Sequence, residues 1–284
     1  MLEVSKYKSE TRPDWCPGCG DFGVLNSLVQ AVSNLEIDPK DLLIVSGIGC
    51  SSNLPGFIHA YGFHSLHGRA MAVASGAKLA NPDLHVVVTG GDGDGYGIGI
   101  GHFIHAMRRN LDVTYIVMDN QTYGLTTGQA SPTSSRDFVT KSTPKGVTED
   151  PVNPIALALV AGASYVSRGF SGDPKHLTDL IQNGVKHKGF SLVDVFSPCV
   201  TWNKVNTYDY FRQNCYKLNG PDYDTKNFDL AMKKSRETSK IPIGLFYEET
   251  KPTYEESDPT LKMINPVKTK LGLPDPELLF KELY

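Results

Sequence analysis

Short apolar, β-branched runs recur along this chain at residues 41–45, 84–89, 113–118, 163–167 and 190–196, and most close on a glycine- or Asx-rich turn. Between them lie helix-like stretches at 22–33, 70–80 and 154–160, and further helices starting near Gly97 and at Pro174. Asp173 supplies the last of these with an N-cap and Pro174 fills its first position. Strands this short and this uniformly apolar are buried on both faces. Their alternation with helices predicts an α/β fold, a parallel sheet with helices on both faces. Residues 208–217 read as one more helix, charged and aromatic, and 130–154 as a long polar loop of a kind that is more often functional than idle. From 219 onward Lys, Glu, Pro and Tyr dominate and the apolar period fades, apart from an island at 241–247. The expected organisation is a domain over 1–218 and a C-terminal extension over 219–284. Residues 250–284 would form an extended arm ending in a short helix and lying on a partner subunit.

Two of the strand ends carry chemistry. The run at 84–89 passes through Gly90-Gly91 into Asp92, inside Gly-Asp-Gly-Asp-Gly, and the run at 113–118 ends in Asp119-Asn120-Gln121-Thr122. In a parallel sheet both emerge at the carboxyl edge, where open α/β sheets bind ligands. Glycines let backbone approach a ligand closely, and a helix starting near Gly97 offers free N–H groups to a phosphate. A bare carboxylate would repel that phosphate, so Asp92 implies a bridging cation. Asp92, the Asn120 amide oxygen and a nearby backbone carbonyl are hard oxygen donors of the kind Mg²⁺ takes. The stretch reads as a diphosphate–Mg²⁺ cradle. His67 and Arg69, at the start of the helix over 70–80, are within reach of a cofactor or a substrate carboxylate.

Composition narrows the picture. With 284 residues, 40% hydrophobic and 21% charged, the chain suits one large domain or one domain with an extension. A net charge of −3 argues against nucleic acid or an anionic membrane as main partner. The first residues have no apolar core, and the longest apolar run, 154–162, falls far short of the ~20 residues of a membrane helix. The chain therefore reads as cytoplasmic, where disulfides are rare and cysteines gain metal or redox roles.

The cysteines then matter. Cys16 and Cys19 share a Pro-Gly turn, Asp-Trp-Cys-Pro-Gly-Cys-Gly. Cys50 follows the run at 41–45 and Cys199 the run at 190–196, so both reach the edge that carries Asp92 and Asn120. The four form a set suited to zinc or to a [4Fe–4S] cluster. Cys215 is left out, with an alternative in which it replaces Cys199.

Gly91-Asp92-Gly93 with Asn120 downstream resembles the thiamine-diphosphate motif. Together with Trp-Cys-Pro-Gly-Cys-Gly, Gly-Ile-Gly-Cys-Ser-Ser, Leu-His-Gly-Arg, Asp-Asn-Gln-Thr-Tyr-Gly-Leu-Thr-Thr-Gly-Gln and Ser-Pro-Cys, it resembles the β subunit of 2-oxoacid:ferredoxin oxidoreductases, from about Trp15 to Cys199. The resemblance implies oxidative decarboxylation of a 2-oxoacid, pyruvate or 2-oxoglutarate, to its acyl-CoA and CO₂. It also implies thiamine diphosphate, Mg²⁺, a [4Fe–4S] cluster, coenzyme A as co-substrate and ferredoxin as electron acceptor. By that resemblance Asp92, Asn120 and the Thr122 carbonyl hold Mg²⁺, and Gly91, Gly93 and Asp94 line the diphosphate turn. Ile48, Gly49, Ser51 and His67 contact the cofactor body, and Gly124 and Leu125 lie near its reactive carbon, with Leu125 shaping the substrate pocket. Cys16, Cys19, Cys50 and Cys199 hold the cluster. Asn53 stands where some relatives carry a basic residue, which leaves recognition of a distal carboxylate open.

Thiamine enzymes use a glutamate to activate the aminopyrimidine, and this sequence has none between Glu36 and Glu149. The resemblance assigns that glutamate to a partner α (or fused γα) subunit, so the chain alone should be inactive. The rival reading is a non-redox thiamine enzyme, decarboxylase- or acetolactate-synthase-like, with structural zinc on the cysteines. A third is an electron-transfer or scaffold subunit with a vestigial nucleotide fold, against which intact Asp92 and Asn120 argue.

Overall fold

Valine and isoleucine fill the centre of an eight-stranded sheet. In the computed structural model, which describes residues 3–218 and 223–269, strands β1 (Leu42–Ser46), β3 (His85–Gly91), β4 (Thr114–Asp119), β5 (Tyr165–Phe170) and β6 (Ser191–Phe196) are almost wholly buried. Each is a strand expected from the sequence, shifted by one to three residues. With β2 (Tyr61–His64), β7 (Cys215–Lys217) and β8 (Ile241–Glu248), the order across the sheet is β2-β1-β3-β4-β6-β5-β8-β7, and the pairings from β2 to β5 are all parallel.

Strand β2 (Tyr61–His64) was not legible, because none of its four residues is buried and it lacks the apolar signature. It lies at the sheet edge and pairs with β1. Its position matters for function. From β1 the chain runs outward to β2, then returns to place β3 on the other side of β1 and moves on to β4. The loops after β1 and β3 therefore leave in opposite directions, and such a switch point opens a crevice at the carboxyl ends.

Helices cover both faces. Helix α1 (Asp21–Asn34) packs on α5 (Pro174–Lys186) over one face, with Val24, Leu28, Val32, Leu177 and Ile181 buried against Ile44, Ile116 and Val193. The other face carries α2 (Ala70–Ala80), α3 (Ile100–Arg109) and α4 (Pro154–Ala161), whose Ala74, Phe103, Met107 and Leu159 meet Val88, Val117 and Leu192. The expected cap at α5 is present, with the Asp173 carboxylate accepting from the His176 N–H at 3.3 Å.

The C-terminal part differs from expectation. The helix expected over 208–217 stops as α6 (Tyr208–Asn214), and Cys215–Lys217 forms the edge strand β7. After α7 (Phe228–Ser235), the apolar island becomes β8 (Ile241–Glu248), which pairs antiparallel with β5 and parallel with β7. The residues assigned to an extension thus complete the main sheet. A strand whose Pro242, Ile243 and Phe246 are buried needs apolar neighbours, and β5 supplies them. Residues 250–263 also hold to their own chain. Asn110 Nδ2 donates to the carbonyls of Lys251 (3.3 Å) and Pro252 (3.1 Å), and the buried Glu255 carboxylate accepts from the Asp112 N–H at 3.2 Å. A capping box of Thr253 and Glu256 starts α8 (Tyr254–Ser257). The terminal helix expected near 284 lies outside the described residues. Among the described residues no helix is long and apolar enough to cross a membrane.

Candidate active site

Two cavities open side by side at the carboxyl edge of the sheet and share Cys50, Asn120, Gly124 and Leu125 in their walls. The first gathers Ile48, Gly49, Cys50, Ser51, His67, Gly91, Asp92, Gly93, Asp94, Asn120, Thr122, Gly124 and Leu125, whereas Arg69, expected within reach of the cofactor, is exposed and contacts His102 instead. Tyr123 and Thr126 complete its wall. The second gathers Cys16, Cys19, Cys50 and Cys199 with Trp15, Asp21, Asn53 and Trp202. Cys215 lies apart, in a surface cleft with Phe170, Phe211 and Ile243. Among the described residues no glutamate lines either cavity.

The first cavity is built on Asp92, which is 1% exposed at the end of β3. The hydroxyls of Ser131 and Thr133 both contact its Oδ2, Thr133 from 2.6 Å. Thr133 Oγ also lies 2.7 Å from Asp119 Oδ1. One hydroxyl has one proton, so it cannot donate to two carboxylates at once. Burial pushes the Asp92 carboxyl up to about 6, against the pull of the two hydroxyls. It pushes Asp119 well above the usual range too, with the Asp92 charge adding to the effect. A buried acid in this condition suits a cation, and the Asn120 amide oxygen and the Thr122 carbonyl are hard donors from the neighbouring strand end.

The turn after β4 is locked from several sides. Thr122 N–H donates to Asn120 Oδ1 at 3.0 Å, an Asx turn, with Gln121 at φ +58°. Thr122 Oγ donates to the Gln129 carbonyl at 2.9 Å, and Asn203 Nδ2 donates to the Asn120 carbonyl at 3.1 Å. Tyr123 Oη donates to the Gly93 carbonyl at 3.1 Å, and a Cβ at position 93 would fall 2.1 Å from the Tyr123 ring. Only glycine fits there. The expectation of a helix starting near Gly97 is corrected: residues Gly93–Ile98 form one wide π-type turn with a kink at Gly97, and the regular α3 begins at Ile100. The N–H groups nearest the cavity therefore belong to the glycine turn.

Asp94 also departs from expectation. It stands in the cavity wall, but its carboxylate turns into the protein and is 1% exposed. Oδ1 accepts from the N–H of Ile48 at 3.0 Å and of Gly68 at 2.7 Å. His67 Nδ1 is 2.9 Å from the same oxygen, near enough for an ion pair but not aligned as a hydrogen bond.

In the second cavity the Trp15 indole N–H donates to the Cys50 carbonyl at 2.7 Å. A Cβ at Gly124 would lie 3.7 Å from Cys50 Sγ and equally from Cys199 Sγ. Burial, then the charge of Asp21, pushes the Cys19 thiol well up; burial, then Asp21 and Cys199, pushes Cys50 up to about 11. Asp21 itself is pushed up to about 6 by burial, although the Ser197 hydroxyl donates to it at 2.6 Å. Thiols raised in this way, as those of Cys19 and Cys50 are, become thiolates only beside strong positive charge. Among the described residues no three His, Cys, Asp or Glu side chains form a group that would hold a single metal ion. The four thiols line the walls of one cavity.

Sequence reasoning missed Ser131 and Thr133, and Ser134, whose hydroxyl accepts from the Ser131 N–H at 2.8 Å and donates to the Gln121 carbonyl at 2.7 Å. The only signal was a hydroxyl-rich Ser-Pro-Thr-Ser run directly after the Gln129 turn, within the long loop. It also missed Trp202, which packs against Gly128 and walls the second cavity.

Comparison with known proteins identifies relatives along most of the chain. A family model described as "thiamine pyrophosphate enzyme, C-terminal TPP binding domain" matches residues 47–195. A second, for the C-terminal part of the pyruvate ferredoxin oxidoreductase beta subunit, matches 199–263. A 2-oxoacid:ferredoxin oxidoreductase subunit beta from Sulfolobus sp is 50% identical over 257 residues, covering 86% of this chain and 84% of the relative. A 2-oxoglutarate synthase subunit from Methanocaldococcus jannaschii is 37% identical over 266 residues, covering 90% and 96%. The solved 2-oxoglutarate:ferredoxin oxidoreductase from Magnetococcus marinus, with 2-oxoglutarate, coenzyme A and succinyl-CoA bound, superposes with a TM-score of 0.92 at 42% identity, covering 99% of this chain and 96% of that one.

Proposed function

This chain belongs to the β-subunit family of the 2-oxoacid:ferredoxin oxidoreductases, and from that premise we propose that it carries the thiamine diphosphate–Mg²⁺ half of an enzyme that oxidises a 2-oxoacid to its acyl-CoA and CO₂. The electrons would leave through a [4Fe–4S] cluster in the second cavity to ferredoxin. One observation carries this reading: the oxygen-lined and thiol-lined cavities share a wall. A thiamine enzyme that passes no electrons has no use for a thiol cluster there.

When bound, thiamine diphosphate supplies the electron sink for decarboxylation and the cluster supplies a one-electron exit. The chain's own residues bind and orient. Asp92, Asn120 and the Thr122 carbonyl would hold Mg²⁺, with Ser131 and Thr133 fixing the Asp92 carboxylate. Gly91 and Gly93 let the backbone approach the diphosphate. Ile48, Gly49, Ser51 and His67 would face the organic body of the cofactor, and Leu125 would shape the substrate pocket. Cys16, Cys19, Cys50 and Cys199 would ligate the iron, with Asp21 and Trp15 packing that site.

The missing glutamate makes this half of an active site, completed by a partner α (or fused γα) subunit. The test uses the complex with that subunit. Ferredoxin reduction by pyruvate and by 2-oxoglutarate should require coenzyme A, and the protein should be brown with absorbance near 400 nm. A colourless protein that decarboxylates without reducing ferredoxin would establish the zinc reading instead.

A further inference from the structure

We propose that Asp94, the second acid of the Gly-Asp-Gly-Asp-Gly turn, is a positioning residue that clamps the other two loops of the cofactor cavity and does not touch the diphosphate. The proposal rests on the thiamine diphosphate reading of that cavity.

Asp94 sits at the β1–β3 switch point, where loops that diverge in space must be held together. A single oxygen, Oδ1, takes the N–H of Ile48, in the loop after β1, and the N–H of Gly68, in the loop before α2. The His67 imidazole stands over that oxygen at 2.9 Å. The second oxygen, Oδ2, is buried and has no hydrogen-bond partner among the described residues. It fits against bare backbone: a Cβ at Gly47 would come within 1.9 Å of it and one at Gly90 within 3.3 Å. Glycines at 47 and 90 thus make room for this carboxylate. An anion facing a diphosphate would be a liability. Turned inward onto two N–H groups, it ties together three stretches that the sequence places far apart.

The clamp reaches both cavities. Ile48 leads through Gly49 to Cys50, which lines the thiol cavity, and Gly68 follows His67, which lines the cofactor cavity. Its loss should therefore loosen 47–52 and 66–70 together. Hydrogen bonds to a charged acceptor each hold a segment closed by on the order of tenfold.

Hydrogen–deuterium exchange on the complex with its partner subunit, first without thiamine diphosphate, tests this. Asp94→Ala should raise exchange in 47–52 and 66–70 by about tenfold or more, with no change in the β4 segment 114–119. Asp94→Asn keeps an oxygen at the Oδ1 position, so protection in both loops should stay within about threefold of wild type. Calorimetric titration with thiamine diphosphate and Mg²⁺ should then show affinity lost in Asp94→Ala and largely kept in Asp94→Asn. If Asp94→Ala weakens the cofactor but leaves both loops protected, Asp94 contacts the cofactor directly and the clamp is wrong. If Asp94→Asn loosens the whole chain, the role is general folding and the clamp is equally wrong. If the exchange results hold but wild type binds no thiamine diphosphate, the clamp stands and the reading of the cavity falls.

Discussion

The two cavities share a wall and are built in opposite ways. The oxygen-lined one draws Asp92, Asn120 and Thr122 from two neighbouring strand ends, β3 and β4, joined by the glycine turn and α3. The thiol-lined one collects Cys16 and Cys19, Cys50, and Cys199 from three separate places along the chain. A site made from adjacent β-α-β elements is specified locally and forms with its strands. A site made from distant loops exists only once the whole sheet has set its topology. The first should fail by loss of one donor and the second by loss of any one anchor.

The largest effects should separate the two. Asp92→Ala should weaken Mg²⁺-dependent thiamine diphosphate binding by at least about 100-fold while iron content stays at wild-type level, measured by calorimetry and metal analysis. Cys199→Ser should do the reverse, abolishing the absorbance near 400 nm while cofactor affinity stays within about threefold. Full iron in Cys199→Ser would dismantle the four-thiol assignment.

A pH series sharpens the contrast. Folding raises the Asp92 carboxyl to about 6, so the ligand-free fold favours its protonated form. The stability this group lends is full below its usual value of 3.8 and is lost as pH rises through about 6. Cation binding demands the ionised form. The gain in melting temperature from Mg²⁺ and thiamine diphosphate should therefore shrink as pH falls below about 6, by up to about tenfold in affinity per unit. A gain unchanged between pH 7 and 5 would remove Asp92 from the metal site.

Smaller effects probe the supports. Thr133→Val takes away the hydroxyl that bridges Asp92 and Asp119; a hydrogen bond to a charged group is worth about 1.5–3 kcal/mol, so Mg²⁺ affinity should fall by about tenfold. Cys215→Ser should leave both iron and cofactor contents unchanged, since that thiol lies apart from either cavity.

The same contrast explains what the sequence disclosed. Asp92 and Asn120 were legible because each directly follows an apolar strand, and a parallel sheet fixes where strand ends emerge. The four thiols were legible one step later, once Cys50 and Cys199 proved to follow strands as well. Ser131 and Thr133 were not, since nothing in a polar loop says which hydroxyl folds back onto a buried acid. Strand β2 was hidden because an exposed edge has no apolar pattern to show. The strand at Ile241–Glu248 passed for an island because its antiparallel partner β5 lies far from it in sequence and its other neighbour, β7, is only three residues long.

The scattered origin of the thiol cavity also orders events during synthesis. Cys16 and Cys19 leave the ribosome about 180 residues before Cys199. At about 5–20 residues per second, that gap is on the order of ten seconds or longer. Throughout it the first two thiols face solvent with no partners and are open to oxidation. On the proposed cluster reading, iron would be delivered after translation, and the yield of iron-loaded protein should depend on how reducing the cell is while the chain is being made.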